Sequence, residues 1–278
     1  MALFSCCIVK CNAGTGRVKR SSLHYIPLHD SRSPLESAKS DSRQTTWPID
    51  EEGDTNIVKI ALLGGTGNEG RGLGLRWALS GYDVFIGSRS AERGAQAAQE
   101  MNEFLPGHAA QVAGGDNAAM AQQGDVVVLS VPYKAQQATL EAVRGVLDGK
   151  LLISVVVPIQ PPKVSHVWHP AAGSAAQEAQ EYLGDAARVV AAFQNISAEL
   201  LPDPEHAVDC DVLICGESRE DKAVAIELSR AAGLRGLDAG PLRNAGVVEG
   251  MSAVLIGINL RHKVKHSGIR ITGIGSRD

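Results

Sequence analysis

The stretch IVKIALLGGTGNEGRGLGLRWALSGYDVFIGSR, residues 57–89, decides the fold. Ile57–Leu63 is an apolar run broken by one lysine, as in a strand buried on both faces of a parallel sheet. Gly65-Thr66-Gly67-Asn68-Glu69-Gly70 then spells G-x-G-x-x-G where that strand must give way to a helix. In this pattern one glycine makes the tight turn, one lets a diphosphate approach the backbone, and one lets helix and strand pack closely. The free N–H groups at the start of the helix favour an anion there. The hexapeptide alone is weak, because the chain holds 30 glycines. Its position between a strand and a helix gives it weight.

Tyr82–Gly87 reads as the second strand. A dinucleotide fold that takes NAD places an Asp or Glu at the tip of this strand, to accept hydrogen bonds from the adenosine ribose. Here the tip is Ser88-Arg89, with Arg93 one helical turn further on. A carboxylate would repel a 2′-phosphate, whereas a hydroxyl and guanidinium groups bind one. These residues therefore point to NADP rather than NAD.

Downstream, Ala91–Phe104 reads as an alanine-rich helix, Ala109–Val112 as a short strand and Asp116–Gln123 as a helix. Asp125–Val131 is the clearest buried strand, closed by Pro132 where the sheet's carboxyl edge opens towards a ligand. Gln136–Leu147 is the next helix and Lys150–Val157 the next strand, closed by Pro158. Such alternation predicts right-handed crossovers and a parallel sheet covered on both faces. After a loop at 159–171 come a helix, Ala172–Leu183, a strand, Arg188–Phe193, and the loop Gln194-Asn195-Ile196-Ser197-Ala198. Asp211–Gly216 and Leu234–Asp238 read as strands around a helix at Asp221–Ala232, and Ala239-Gly240-Pro241 opens a long apolar helix reaching Lys263. The expected class is α/β: a Rossmann-type, doubly wound, mainly parallel sheet at 56–198, with a smaller C-terminal α/β domain at 199–278. The apolar last helix suits the centre of that domain or a subunit interface.

The 278 residues suffice for one large or two modest domains. Hydrophobic residues make up 44% but aromatics only 4%, so Ala, Val, Leu and Gly must build the interior. A net charge of −4 argues against a nucleic-acid partner, which needs a basic face. No long apolar run is free of charge, so no membrane span is expected. Residues 1–55 stand apart: serine-rich, with Pro27, Pro34 and Pro48, an acidic close at 50–54 and no periodicity, they read as a disordered extension. Their composition resembles an organelle transit peptide, but Asp30, Glu36 and Asp41 count against import, and the expected location is the cytoplasm. Cys6, Cys7, Cys11, Cys210 and Cys215 lack the spacing of a zinc site or a secreted framework, which implies a reducing compartment. His166 and His169 have metal-like spacing but no accompanying carboxylate or cysteine cluster, and no metal site is expected.

Ala61–Asn68, Gly87-Ser88-Arg89, Val131-Pro132, Ser154 with Val157-Pro158, and Asp238-Ala239-Gly240-Pro241-Leu242 together resemble one family, the NADPH-dependent reductases of coenzyme F420, an 8-hydroxy-5-deazaflavin. The resemblance runs from Val58 to Ile274. It implies hydride exchange between nicotinamide C4 of NADP(H) and C5 of coenzyme F420, in a crevice between the main and the smaller domain of a homodimer. Carried over by position, Gly65, Thr66, Gly67, Asn68, Glu69 and Gly70 form the diphosphate turn, and Ser88, Arg89 and Arg93 the 2′-phosphate pocket. Val131, Pro132, Val157 and Ala198 fall beside the nicotinamide, and Gln194 and Ile196 in the loop beside the deazaflavin. Glu69 stands where the family often has an apolar residue, and Gln194 where it has a histidine.

Hydride transfer between two bound rings needs no nucleophile, catalytic acid or metal. It needs donor and acceptor carbons held at about 3–3.5 Å and kept from water. Val131, Val157 and Ile196 are the expected dry walls, and the N–H groups of 194–198 the expected partners for charge arriving on the acceptor. Two alternatives stay open on the sequence: an NADPH-dependent flavin or metal reductase on the same frame, which Gln194 keeps alive, and a non-catalytic NADP-binding protein.

Overall fold

Apolar runs punctuated by glycine and proline become strands wherever helices can cover both of their faces. In a computed structural model of the chain, which describes residues 58–275 except 106, 108, 109 and 111, eight strands form one sheet in the order β3-β2-β1-β4-β5-β6-β7-β8. The described residues belong to one unit, Trp47–Asp278. The extension at 1–55 with its three cysteines, Ile57 and the expected strand start at Ala109 lie outside the described residues.

In chain order the elements are β1 (Ile60–Leu63), α1 (Asn68–Leu79), β2 (Val84–Ser88), α2 (Ala91–Asn102), β3 (Val112–Asp116), α3 (Asn117–Gln123), β4 (Val126–Leu129) and α4 (Tyr133–Val143). Then follow β5 (Lys150–Ser154), α5 (Ala175–Leu183), β6 (Ala187–Ala191), β7 (Asp211–Gly216), α6 (Arg219–Ala231), β8 (Arg235–Asp238) and α7 (Ala245–His262). Strands β1 to β6 are parallel to their neighbours, whereas β7 runs antiparallel to β6 with β8 parallel beside it. The strand order reverses between β1 and β4, and a crevice opens beyond the carboxyl ends at such a reversal. Leu63, Leu129, Ser154 and Ala191 lie side by side at that edge. The Rossmann-type, mainly parallel sheet expected from the sequence is therefore present.

Two buried layers hold the sheet. Leu62, Leu73, Trp77, Ile86, Met101, Ile153 and Leu228 pack on the face covered by α1, α2 and α6. Leu63, Leu129, Leu140, Leu152, Leu183 and Val248 pack on the other, under α3, α4, α5 and α7. Each such side chain contributes about 1.5–3 kcal/mol by leaving water.

Where element boundaries differ from the sequence expectation, packing gives the reason. The third strand is Val112–Asp116 rather than 109–112, and it contains two glycines, which are poor strand formers. A Cβ on Gly114 would lie 2.0 Å from the carbonyl oxygen of Gly94, so α2 sits backbone to backbone on this strand. β4, β5 and β6 stop at Leu129, Ser154 and Ala191, two or three residues early, as their chains turn towards the crevice. After β6, buried Phe193 takes φ 73, a left-handed conformation that costs a non-glycine residue about 1–3 kcal/mol. Its ring is held edge-on against Trp77 at 6.0 Å. The expected helix from Gln136 begins at Tyr133, with Pro132 as its N-cap. The last helix begins with a short 3-10 turn, Leu242–Asn244, and ends at Lys263, which has φ 53.

Candidate functional site

The glycine turn is built by contacts that exclude side chains on one side and leave room on the other. Gly64 has φ +73, and a Cβ there would stand 2.4 Å from Val131 Cγ1, which brings the end of β4 against the turn. Gly64 N–H donates to Asn117 Oδ1 at 3.3 Å, and Gly65 N–H to the Gly87 carbonyl at 3.1 Å. A Cβ on Gly70 would sit 2.6 Å from Gly65 Cα, so glycine is what lets α1 start so close to the turn. Gly67, the N-cap, differs: a Cβ there meets nothing nearer than the Gly64 carbonyl oxygen at 4.0 Å. Among the described residues no side chain caps α1, which leaves its first N–H groups for an external acceptor. This open cradle fits a diphosphate.

Glu69 occupies the first turn of α1 and is half-buried. Among the described residues its carboxylate makes no hydrogen bond or ion pair, and burial pushes its carboxyl up to about 8. Thr66 and Asn68 are exposed beside it.

At the tip of β2, Ser88 is buried and its hydroxyl accepts from Ser90 N–H at 3.4 Å. Ser90 in turn caps α2, accepting from Arg93 N–H at 3.4 Å and donating to Glu92 Oε2 at 2.6 Å. The local bonds are thus completed within the turn, while Arg89 and Arg93 stay exposed. Neither guanidinium makes a hydrogen bond or ion pair among the described residues.

Four of the other expected site residues, Val157, Gln194, Ile196 and Ala198, line one cavity of about 500 Å³. Its far wall is α7, through Ser252, Leu255, Ile256 and Asn259, together with the segment Val264–Ser267. Gln194, in the loop after β6, is 5% exposed. Its Nε2 donates to the Ser154 carbonyl at 2.8 Å, its backbone carbonyl accepts from Ser252 Oγ at 2.6 Å, and its Oε1 has no partner among the described residues. Asn195 pins the same loop to β7 by donating to the Asp211 carbonyl at 2.7 Å. Ser197 Oγ lies 2.9 Å from His266 Nδ1. Val131 and Val157 are half-buried, and Pro132 is exposed at the head of α4.

Several contributors escaped the sequence reading. Asn117 supports the turn from the start of α3, and the Asp116-Asn117 pair after a strand was the local signal for a helix cap there. Arg76 is 6% exposed and donates to the carbonyls of Leu201, His206 and Ala232 at 2.9, 3.0 and 3.0 Å, which fixes the chain beyond the 194–198 loop. An arginine inside an apolar helix was its only mark. His266, on the segment after α7, also lines the cavity.

Cys210 and Cys215 are buried, and burial pushes the Cys215 thiol up to about 11, away from nucleophilic use. Among the described residues no group of three His, Cys, Asp or Glu side chains could hold a metal ion, and no helix is long and apolar enough to cross a membrane.

Comparison with known proteins agrees with this geometry. The family profile described as "NADP oxidoreductase coenzyme F420-dependent" matches residues 59–158. The chain is 42% identical over 225 residues to an F420-dependent NADP reductase of Methanothermobacter marburgensis, covering 78% of this chain and 99% of that one. It is 39% identical over 223 residues to an F420-dependent NADP reductase of Methanocaldococcus jannaschii, covering 78% and 99%. Among solved structures, a putative F420-dependent NADP reductase from Arthrobacter superposes with a TM-score of 0.63 at 27% identity, covering 77% of this chain and 99% of that one.

Proposed function

The chain belongs to the family of F420-dependent NADP reductases, and from that premise we propose that it transfers a hydride between NADP(H) and the deazaflavin coenzyme F420. The observation that carries this reading is a convergence at one sheet edge. A helix start behind the glycine turn, Arg89 and Arg93 beside Ser88, both without an ion pair among the described residues, and a cavity walled by Val157 and Ile196 all lie at the carboxyl ends of parallel strands.

Each part has one task. Gly67 and the first N–H groups of α1 receive the diphosphate, and Ser88, Arg89 and Arg93 receive the 2′-phosphate. Val131, Pro132, Val157 and Ala198 flank the nicotinamide, while Gln194 and Ile196 present the deazaflavin from the far side. When bound, the two rings supply the hydride chemistry, and the protein orients them and excludes water. The buried hydrogen bonds of Gln194 to Ser154 and Ser252 make that crevice rigid, as positioning demands.

Residues 56–198 act as the NADP-binding domain and 199–278 as the smaller domain that completes the crevice. The working form is a homodimer joined through α7, whose Val247, Val254 and Leu260 are 64%, 48% and 66% exposed. The cytoplasm is the proposed location, in keeping with the free thiol at Cys215.

Mixing the purified protein with NADPH and oxidised F420, and following the acceptor's visible absorbance, tests the reading. Loss of absorbance matched to NADPH oxidation supports it. Bleaching of FMN but not of F420 would favour a flavin reductase, and NADPH binding without turnover of either would favour a non-catalytic role.

A further inference from the structure

We propose that Ser197 and His266 supply the proton that must enter the crevice with the hydride, the Ser197 hydroxyl passing it to the acceptor ring. The inference rests on the reading of the crevice as the hydride-transfer site and adds the second half of that reaction's balance. Each NADPH that gives a hydride to oxidised F420 requires one further proton, because the electron pair that forms the C–H bond at C5 leaves a ring nitrogen basic.

Ser197 Oγ lies 2.9 Å from His266 Nδ1, and both residues line the cavity of about 500 Å³ that Ile196 and Ala198 also wall. Other hydroxyls of that wall are committed to backbone carbonyls: Ser252 Oγ donates to Gln194 at 2.6 Å and Ser267 Oγ to Leu255 at 3.4 Å. Among the described residues Ser197 Oγ bonds to His266 alone. The amides of Gln194 and Asn195 do not titrate near neutral pH, whereas an imidazole does. In the protonated ring Nδ1–H donates to Ser197 Oγ, which leaves the hydroxyl hydrogen free for another acceptor.

The histidine is held in place. It takes φ 61, a left-handed conformation disfavoured for a residue with a side chain, and the next residue is fixed by Ser267 N–H donating to Asn259 Oδ1 at 3.1 Å. Its side chain is 28% exposed, with Nε2 3.7 Å from Glu199 Oε2, an ion-pair contact when the ring is charged. His206, Asp209 and the Cys210 thiol share a smaller cavity of about 240 Å³ with Ser197 and His266, and Asp209 is paired with Arg270 at 3.3 Å. Lys265 precedes His266 in the chain, and α7 turns the uncharged Ser252 and Asn259 to the larger cavity. As the hydride arrives, Ser197 O–H gives its proton to the ring nitrogen and takes the Nδ1 proton of His266. The imidazolium ends neutral with its remaining proton on Nε2, and solvent recharges it once product has left. In the reverse direction the same pair accepts the proton.

Single-turnover reduction of F420 by NADPH, at saturating concentrations from about pH 5.5 to 8.5, tests this in the wild type, His266→Gln, Ser197→Ala and Ser197→Thr. Titrations of the cofactors themselves are common to all these proteins, so the differences between proteins isolate the pair. The wild-type and Ser197→Thr rates should fall as pH rises through the imidazole's titration. His266→Gln and Ser197→Ala should lack that limb and run about tenfold or more slower on the acid side. Oxidised F420 and NADP+ should bind every variant within about threefold of the wild type by calorimetry. In the free protein, proton NMR should show one imidazole signal that is missing from His266→Gln, and the midpoint of its titration should move in Ser197→Ala. The same limb in every protein, its loss in Ser197→Thr, an imidazole midpoint unmoved by Ser197→Ala, or an effect confined to F420 affinity would overturn the pair's role while leaving hydride transfer standing. No reduction of F420 by the wild type at any pH would overturn the two together.

Discussion

The side-chain amide of Gln194 donates to the Ser154 backbone carbonyl at 2.8 Å, across the ends of β5 and β6. Because Ser252 Oγ also holds the Gln194 carbonyl at 2.6 Å, one residue ties the sheet edge, the 194–198 loop and α7 together. Ser252→Ala removes one of these ties and should cost about 1–2 kcal/mol in urea unfolding. Turnover with F420 should fall while NADP+ affinity stays within about twofold, because the diphosphate turn does not depend on this bond.

Gly67 and Gly70 should respond differently to the same substitution. Gly70→Ala places a methyl 2.6 Å from Gly65 Cα, a backbone atom that cannot yield, so it should destabilise by about 2–3 kcal/mol and spoil the turn. Gly67→Ala meets open space at φ −80 and should unfold within about 0.5 kcal/mol of the wild type. It should nevertheless lose NADP+ binding by calorimetry, because the methyl occupies the approach of the diphosphate.

Arg89→Ala and Arg93→Ala remove exposed groups that bond to none of the described residues, so thermal stability should hold. Each charge-assisted hydrogen bond to a 2′-phosphate is worth about 1.5–3 kcal/mol, so NADP+ affinity should drop about tenfold or more per substitution. NAD+ affinity, measured in parallel, should not change.

Glu249, fully buried on α7, accepts from Ala175 N–H at 2.7 Å and Ala176 N–H at 3.0 Å, and so caps α5 from a distant helix. Burial pushes its carboxyl up to about 7 against the pull of those bonds. With the folded value above the unfolded one, the native state holds the extra proton between the two. The favourable term is therefore complete below pH 4.5 and is lost as pH rises through 7. Unfolding followed from pH 5 to 8 should show a smaller decline in Glu249→Gln than in the wild type. Glu249→Ala should cost about 2–4 kcal/mol at any pH by orphaning two buried N–H groups.

The parts legible in the sequence are those set by local signals. The glycine turn, Ser88-Arg89 and the apolar runs of β1, β4 and β5 announce themselves because strand burial and helix starts impose short-range patterns. What stayed hidden depends on partners far along the chain. Arg76 finds Leu201 and Ala232, Gln194 finds Ser154 and Ser252, and Ser197 finds His266, none within a stretch that a periodicity can span. β3 was misplaced for a related reason: its glycines contradict strand propensity and make sense only with Gly94 of α2 against them.

The central claim is direct hydride transfer within the crevice, and isotope tracing tests it most directly. NADPH carrying deuterium at nicotinamide C4 on the face used by the enzyme should be reacted with oxidised F420 in ordinary water, and the product examined by mass spectrometry. We predict one deuterium at C5 of the reduced deazaflavin for each NADPH consumed. Reduced F420 without the label, or NADPH consumed with F420 unchanged, would contradict the account.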